Sequence, residues 1–167
     1  MRFNEMVALD YVEDIDLENM TIHIHKNYDF NNNIITTTKT EDDRTIYIND
    51  EIKSLIQEQI KVDLAKKMKF NIKRDNNLLF KQKNGKPILL RVVNRHLKKL
   101  DINGKNISSH IFRHTFITMM IENKVDIHLI AKHVGHSNIK MIMEVYSHFS
   151  NHMNEELKDA IGNLKII

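Results

Sequence analysis

The hydrophobic pattern of the chain changes period about a third of the way along. Residues 2–11 place Phe3, Met6 and Val7 at helical spacing, and because the stretch begins with the first residue it reads as a helix cut at its N-terminal end. Thr21 to His25 and Thr45 to Ile48 alternate as strands do, with Asn31, Asn32, Asn33 and the stretch 36–43 as turn-rich text between them, so a small antiparallel sheet is expected near the N-terminus. Asn49 and Asp50 then cap a helix striped by Ile52, Leu55, Ile56 and Ile60 and running to about Phe70. Residues 71–90 read as a loop with a short strand at Leu78, Leu79 and Phe80, ended by Gly85 and the only proline, Pro87. A helix over 91–101 is closed by Gly104. From there the text is helical punctuation. Ser108 or Ser109 caps a helix with Phe112, Phe116, Met119 and Met120 on one face; Asp126 caps a second with Ile127, Ile130 and Val134, stopped by Gly135. Ser137 opens a third with Ile139, Ile142, Met143 and Tyr146 in register, and Met153, Leu157, Ala160, Ile161 and Leu164 mark a fourth. The pattern as a whole is α+β, mainly α-helical, with a small three-stranded antiparallel sheet.

Composition narrows this further. At 167 residues the chain reads as one domain, divided into a first part over 1–50, a helical core over 51–150 and a C-terminal helix or tail over 151–167. No run approaches the roughly 18 apolar residues of a membrane span, and no basic-then-apolar leader opens the sequence, so a soluble, cytoplasmic protein is expected, with no membrane partner. With no cysteine, disulfides, thiolate catalysis and iron–sulfur clusters are excluded, and His and carboxylates are left as the strong metal ligands. The net charge of +3 says little, but its distribution says more. Residues 1–50 carry 4 Lys/Arg against 11 Asp/Glu, whereas residues 61–113 carry 15 against 3. A basic band of that density is the footprint of a phosphate-binding surface, although a solvated helix face with lysine-rich loops has the same composition.

Within the helical half, His110, Arg113 and His114 share a face of the helix that opens near Ser108, given Phe112 and Phe116 facing inward. His110 and His114 have the i, i+4 spacing of metal ligands. Ile111, however, stands where a metalloprotease places its Glu, no carboxylate cluster is near in sequence, and Arg113 opposes a cation. A histidine hydrogen-bonded within a helical interface explains either residue as well. Gly135-His136 alone reads as a helix end whose His caps carbonyls, and Tyr146 alone as a core tyrosine on an apolar stripe. Their order carries more than any one of them: His-x-x-Arg, then Gly-His about two dozen residues on, then Tyr ten residues later.

In that order the chain resembles the tyrosine recombinases, the phage and transposon integrase family. The matching residues are His110-Ile-Phe-Arg113-His-Thr-Phe, His133-Val-Gly-His136-Ser and Glu144-Val-Tyr146-Ser-His. Upstream, Arg2-Phe-Asn-Glu5-Met-Val-Ala-Leu with Asp14-Ile-Asp16 looks like the family's first arginine box, and Thr38-Lys39-Thr40 followed by Arg44-Thr-Ile looks like its hairpin lysine. The resemblance covers residues 2 to about 150. It implies the catalytic-domain fold of that family and a catalytic set of Arg2, Lys39, His110, Arg113, His136 and Tyr146. It implies cutting and rejoining of double-stranded DNA through a 3′-phosphotyrosyl intermediate, with no metal, ATP or other cofactor. Two guanidiniums suit the charge that builds on a phosphodiester under attack. His136 adds a hydrogen bond, His110 assists proton transfer at Tyr146 or shares the phosphate clamp, and Lys39 protonates the leaving 5′-hydroxyl. The resemblance further implies four protomers around two duplexes, a monomer off DNA, and a C-terminal stripe over 153–164 that docks on a neighbour or on its own domain. It implies that the 167 residues are the catalytic domain without the family's separate N-terminal DNA-binding domain. Phe112 stands where the family has a smaller aliphatic residue. Charge and helices alone leave open a non-catalytic helix-turn-helix DNA-binding module, and the chemistry is shared by topoisomerases that relax supercoils.

Overall fold

The computed structural model describes residues 1–37, 43–70, 76–100, 107–135, 140, 142–143 and 147. The chain opens with a single helical turn, α1 (Phe3–Met6), then β1 (Ile15–Asp16) and β2 (Thr21–Ile24). Two strands absent from the hydrophobic pattern follow, β3 (Lys26–Asp29) and β4 (Ile34–Thr37), before β5 (Arg44–Tyr47). The three-stranded sheet is antiparallel with order β1-β2-β5, and β3 and β4 pair separately as a two-stranded ribbon. The ribbon turns through Asn31–33, with Asn33 at φ 55°. Asp29 caps that turn by accepting from the Asn31 and Asn32 amides.

Asp14 sits at the junction between β2 and β3. Its side chain is 1% exposed and takes hydrogen bonds from His25 Nε2 at 2.8 Å, Lys26 Nζ at 2.9 Å and the Asp10 amide at 2.8 Å. These contacts sit at the point where β2 ends and β3 begins. Burial pushes the Asp14 carboxyl up, yet the Asp10 amide and the Lys26 and His25 donors outweigh it and hold the group below its ordinary value.

The sheet carries its apolar side chains on one face. Ile22, Ile24 and Ile46 are buried with Leu9, Leu79 and Ile56, the last from α2 (Asp50–Phe70). Along α2 only part of the expected stripe turns inward, since Ile56 is buried and Ile60 packs beside it while Ile52 and Leu55 are exposed. Leu78 and Lys81 form isolated bridges with Asp10 and Pro87, and no continuous strand forms at 78–80. The next helix, α3 (Leu90–Leu97), is shorter than the expected 91–101; Gly104 lies outside the described residues. Two helices complete the described fold, α4 (Ser109–Glu122) and α5 (Ile127–Val134). Their shared core is Ile117, Ile121, Ile130, Ala131 and Val134, joined by Ile142.

This differs from the face expected for α4. Phe112 and Met119 are exposed, while Phe116 and Met120 flank the buried pair Ile117 and Ile121. The start of α4 is also held differently. Ser108 occupies the N-cap position with no side-chain cap, and the Ser109 amide donates instead to Asn94 Oδ1 of α3 at 3.0 Å. Asp126 does cap α5, accepting from the His128 and Leu129 amides. Residues 140, 142–143 and 147 are helical, and the expected helix over 153–164 lies outside the described residues. Among the described residues no helix is long and apolar enough to cross a membrane.

Candidate active site

The site is built around the C-terminal end of α5. A helix leaves its last carbonyls without intrahelical partners, and its dipole gathers about half a negative charge there. Gly135 ends the helix in the left-handed conformation, φ 68° and ψ 48°, as a helix-terminating glycine does. Three arginines from three other elements then meet three consecutive carbonyls. Arg44 Nε donates to His133 O at 3.0 Å, Arg113 Nη2 to Val134 O at 2.6 Å and Arg2 Nη2 to Gly135 O at 2.6 Å. Arg2 precedes α1, Arg44 opens β5 and Arg113 sits one turn into α4, so the first residues, the sheet and both helices converge on one turn.

Glu5 ties two of these guanidiniums together. It is buried, and its Oε1 and Oε2 accept from Arg44 Nη1 at 3.3 Å and Nη2 at 2.8 Å. Arg2 adds its Nη1 at 3.2 Å and its backbone amide at 2.6 Å. Burial pushes the Glu5 carboxyl up, but the Arg44 side chain and the Arg2 amide outweigh it and hold the group below its ordinary value. One carboxylate and half a dipole charge offset part of three permanent cations, so a surplus of about one and a half positive charges stays at the turn. Such an excess suits an anionic group. Beside it the His133 ring stacks on Phe116, centroids 5.3 Å apart. Burial lowers its basicity, with Arg44 adding to the effect, so His133 is favoured as the neutral ring.

Of the six candidates read from sequence, Arg2 and Arg113 come together at the α5 turn. His110 lies in the first turn of α4, three residues before Arg113, and is exposed. With Ile117 and Ile121 of α4 inward, Phe112 rather than His110 departs from expectation, and the 110–112 stretch turns to solvent. Lys39, His136 and Tyr146 lie outside the described residues. Two residues of this constellation, Glu5 and Arg44, stand in the family stretches quoted from the sequence but were given no role in the site. A signal for Arg44 exists in the text: alternation through Thr45, Ile46 and Tyr47 puts an arginine on the apolar side of a strand, and it is 6% exposed there.

The basic band is only partly a surface. Lys81 Nζ reaches Asp63 at 2.7 Å with a side chain 3% exposed, tying the segment after α2 to that helix, and Lys67 reaches Asp63 and the Tyr11 hydroxyl, tying α2 to the segment before β1. Lys61, Lys66 and Lys69 of α2, Arg91 and Arg95 of α3, and Lys98 and Lys99 beyond it are exposed.

Residues 1–153 match the model of the phage integrase family. The chain belongs to that family. It is 32% identical over 177 residues to the integrase of Staphylococcus phage L54a, covering 98% of this chain and 49% of that one. It is 30% identical over 160 residues to the tyrosine recombinase XerA of Saccharolobus solfataricus, covering 95% and 45%. The chain thus spans about half the length of the curated relatives it matches. Among solved structures it superposes on XerA recombinase with a TM-score of 0.69 at 21% identity, covering 99% of this chain and 54% of the other. It superposes on the Tn1549 transposon integrase in complex with transposon right end DNA with a TM-score of 0.69 at 25% identity, covering 96% and 55%. The fold is therefore the α+β catalytic-domain fold of tyrosine recombinases.

Proposed function

We propose that this chain is the catalytic domain of a site-specific DNA recombinase or integrase that cuts and rejoins duplex DNA through a covalent bond to Tyr146. The observation that carries the reading is the meeting of Arg2 and Arg113 at the α5 turn, one residue before His136, in a chain of the phage integrase family. Support for DNA as the partner comes from the exposed cations of α2 and α3 and from a family relative solved with transposon DNA.

The chemistry follows from the residues. A phenol ordinarily ionises near pH 10, so Tyr146 must lose its proton as it attacks, and His110 takes that proton. The Tyr146 oxygen bonds to phosphorus, charge rises on the two non-bridging oxygens, and Arg2, Arg113 and His136 hold it. The bond from phosphorus to the 5′-oxygen breaks, and Lys39 gives its proton to that oxygen. A second strand's 5′-hydroxyl reverses the sequence. One phosphodiester is exchanged for another through a phosphotyrosine of similar energy, so ATP has no role. Neither step calls on a metal ion. Four protomers about two duplexes would let two such exchanges be paired.

A nicked duplex whose short cleaved end diffuses away tests the reading. Incubated with the chain in chelator, it accumulates a detergent-stable protein–DNA adduct. Tyr146→Phe is expected to form none while binding DNA as tightly as wild type, and Arg113→Ala to slow adduct formation roughly 100- to 1,000-fold. Equal adduct in the Tyr146 variant would refute the assignment of the nucleophile. Salt-sensitive binding with no adduct from wild type would favour the non-catalytic binding module.

A further inference from the structure

We propose that Arg44 is a positioning residue for strand transfer, a buried third arginine that sets the relative placement of Arg2, Arg113 and the Gly135 turn. The inference rests on the recombinase reading above. Arg44 stands on the core-facing side of β5, paired in register with Ile24, with a side chain 3% exposed. Its guanidinium points two ways at once. One edge holds both oxygens of Glu5, which in turn holds Arg2; the other holds His133 O at the end of α5.

The fit is tight on the α5 side. A Cβ on Gly135 would lie 2.5 Å from Arg44 Cζ and 2.5 Å from Nη1, so the turn's backbone is pressed against the guanidinium plane. Arg44 therefore packs directly on the turn whose carbonyls Arg2 and Arg113 grasp and from which His136 follows in sequence. Stability alone does not account for such a group. Burying an ion pair costs several kcal/mol of lost hydration, and well-packed apolar replacements are often neutral or better. What an apolar side chain does not supply is a rigid planar fork that fixes a carboxylate and a helix end at once. Arg44 also follows Lys39 by five residues, so the strand it anchors is the one that leaves the lysine-bearing segment.

The experiment compares single-turnover cleavage of the nicked duplex by wild type, Arg44→Met, Arg44→Lys, Glu5→Gln and the Arg44→Met/Glu5→Gln double variant. Duplex affinity is measured alongside by fluorescence anisotropy, and folding at the assay temperature by circular dichroism. Folded Arg44→Met is expected to bind DNA within about twofold of wild type and to cleave, at saturating DNA, on the order of 100-fold more slowly, the scale of a displacement of about 1 Å at a reacting centre. Arg44→Lys, with one ammonium in place of a fork, recovers at most about a tenth of the wild-type rate. Because both residues act through one arrangement, the double variant loses no more than the worse single one. A residue that only stabilised the fold would lower the melting temperature and leave the rate of the folded protein unchanged. Should Arg44→Met fail to fold, Arg44→Lys decides alone: wild-type cleavage by the folded lysine variant overturns the proposal. Wild-type cleavage by folded Arg44→Met, or losses that multiply in the double variant, also overturn it while leaving the recombinase reading intact. A wild type that forms no adduct overturns that reading, and the inference with it.

Discussion

Gly135 concentrates the design of the site in one residue. Its φ of 68° lies where an L side chain costs about 1 kcal/mol, and a Cβ there meets a guanidinium already fixed by Glu5 and His133 O. Gly135→Ala is expected to lose roughly 2 kcal/mol in stability, on the order of 6 °C in melting temperature for a chain of this size. An unchanged melting temperature would mean that the turn and Arg44 can part without cost. At this scale the sequence was informative about some residues and silent about others. Arg2 and Arg113 are legible because their spacing to Gly135-His136 and Tyr146 follows an ordered family pattern. Glu5 and Arg44 stand in the same family stretches, but their burial and role are not legible, because a lone charge in a helical turn or at the start of a strand is solvated far more often than buried, and only the tertiary meeting of α1, β5 and α5 gives these two partners.

At the level of elements, hydrophobic period predicted α2, α4 and α5 well, and the sheet in outline. It missed β3 and β4. At the junction between β2 and β3, Asp14 holds His25 and Lys26, long-range contacts that no local period carries. The face of α4 was misjudged for a related reason. Phe112, Phe116, Ile117, Met120 and Ile121 offer two overlapping apolar stripes, and packing against Ile130 and Val134 of α5 selects the one centred on Ile117 and Ile121. The Asp14 hub also sets an acid limit. Because its carboxyl is held below its ordinary value, the unfolded chain binds a proton more readily than the folded one. Its contribution is therefore present above about pH 4 and is lost as pH falls through the depressed folded value. Asp14→Asn is expected to be less stable than wild type at pH 7 by roughly 1.5–3 kcal/mol, the scale of a hydrogen bond to a charged group. The gap should narrow as pH falls below about 4. Urea midpoints at pH 7 and pH 3 measure it, and a gap independent of pH would remove Asp14 as the ionised hub.

For the whole molecule, a sheet that holds Arg44, a first turn that holds Arg2 and Glu5, and a helical pair that holds Arg113 and the α5 turn form one catalytic-domain fold around a single concentration of positive charge. The fold class was readable because binary pattern, capping residues and family motifs agreed along most of the chain. The charge centre was not, because its members are scattered from residue 2 to residue 135 and only three dimensions assemble them. The central claim is that this centre serves attack by Tyr146 on a DNA phosphodiester. The most direct measurement is to digest the trapped adduct with trypsin and nuclease and to locate the nucleotide by tandem mass spectrometry. The account predicts a 3′-phosphonucleotide on the peptide containing Tyr146, formed in chelator and absent from Tyr146→Phe. Attachment at another residue, or through the 5′ end of the DNA, would contradict it.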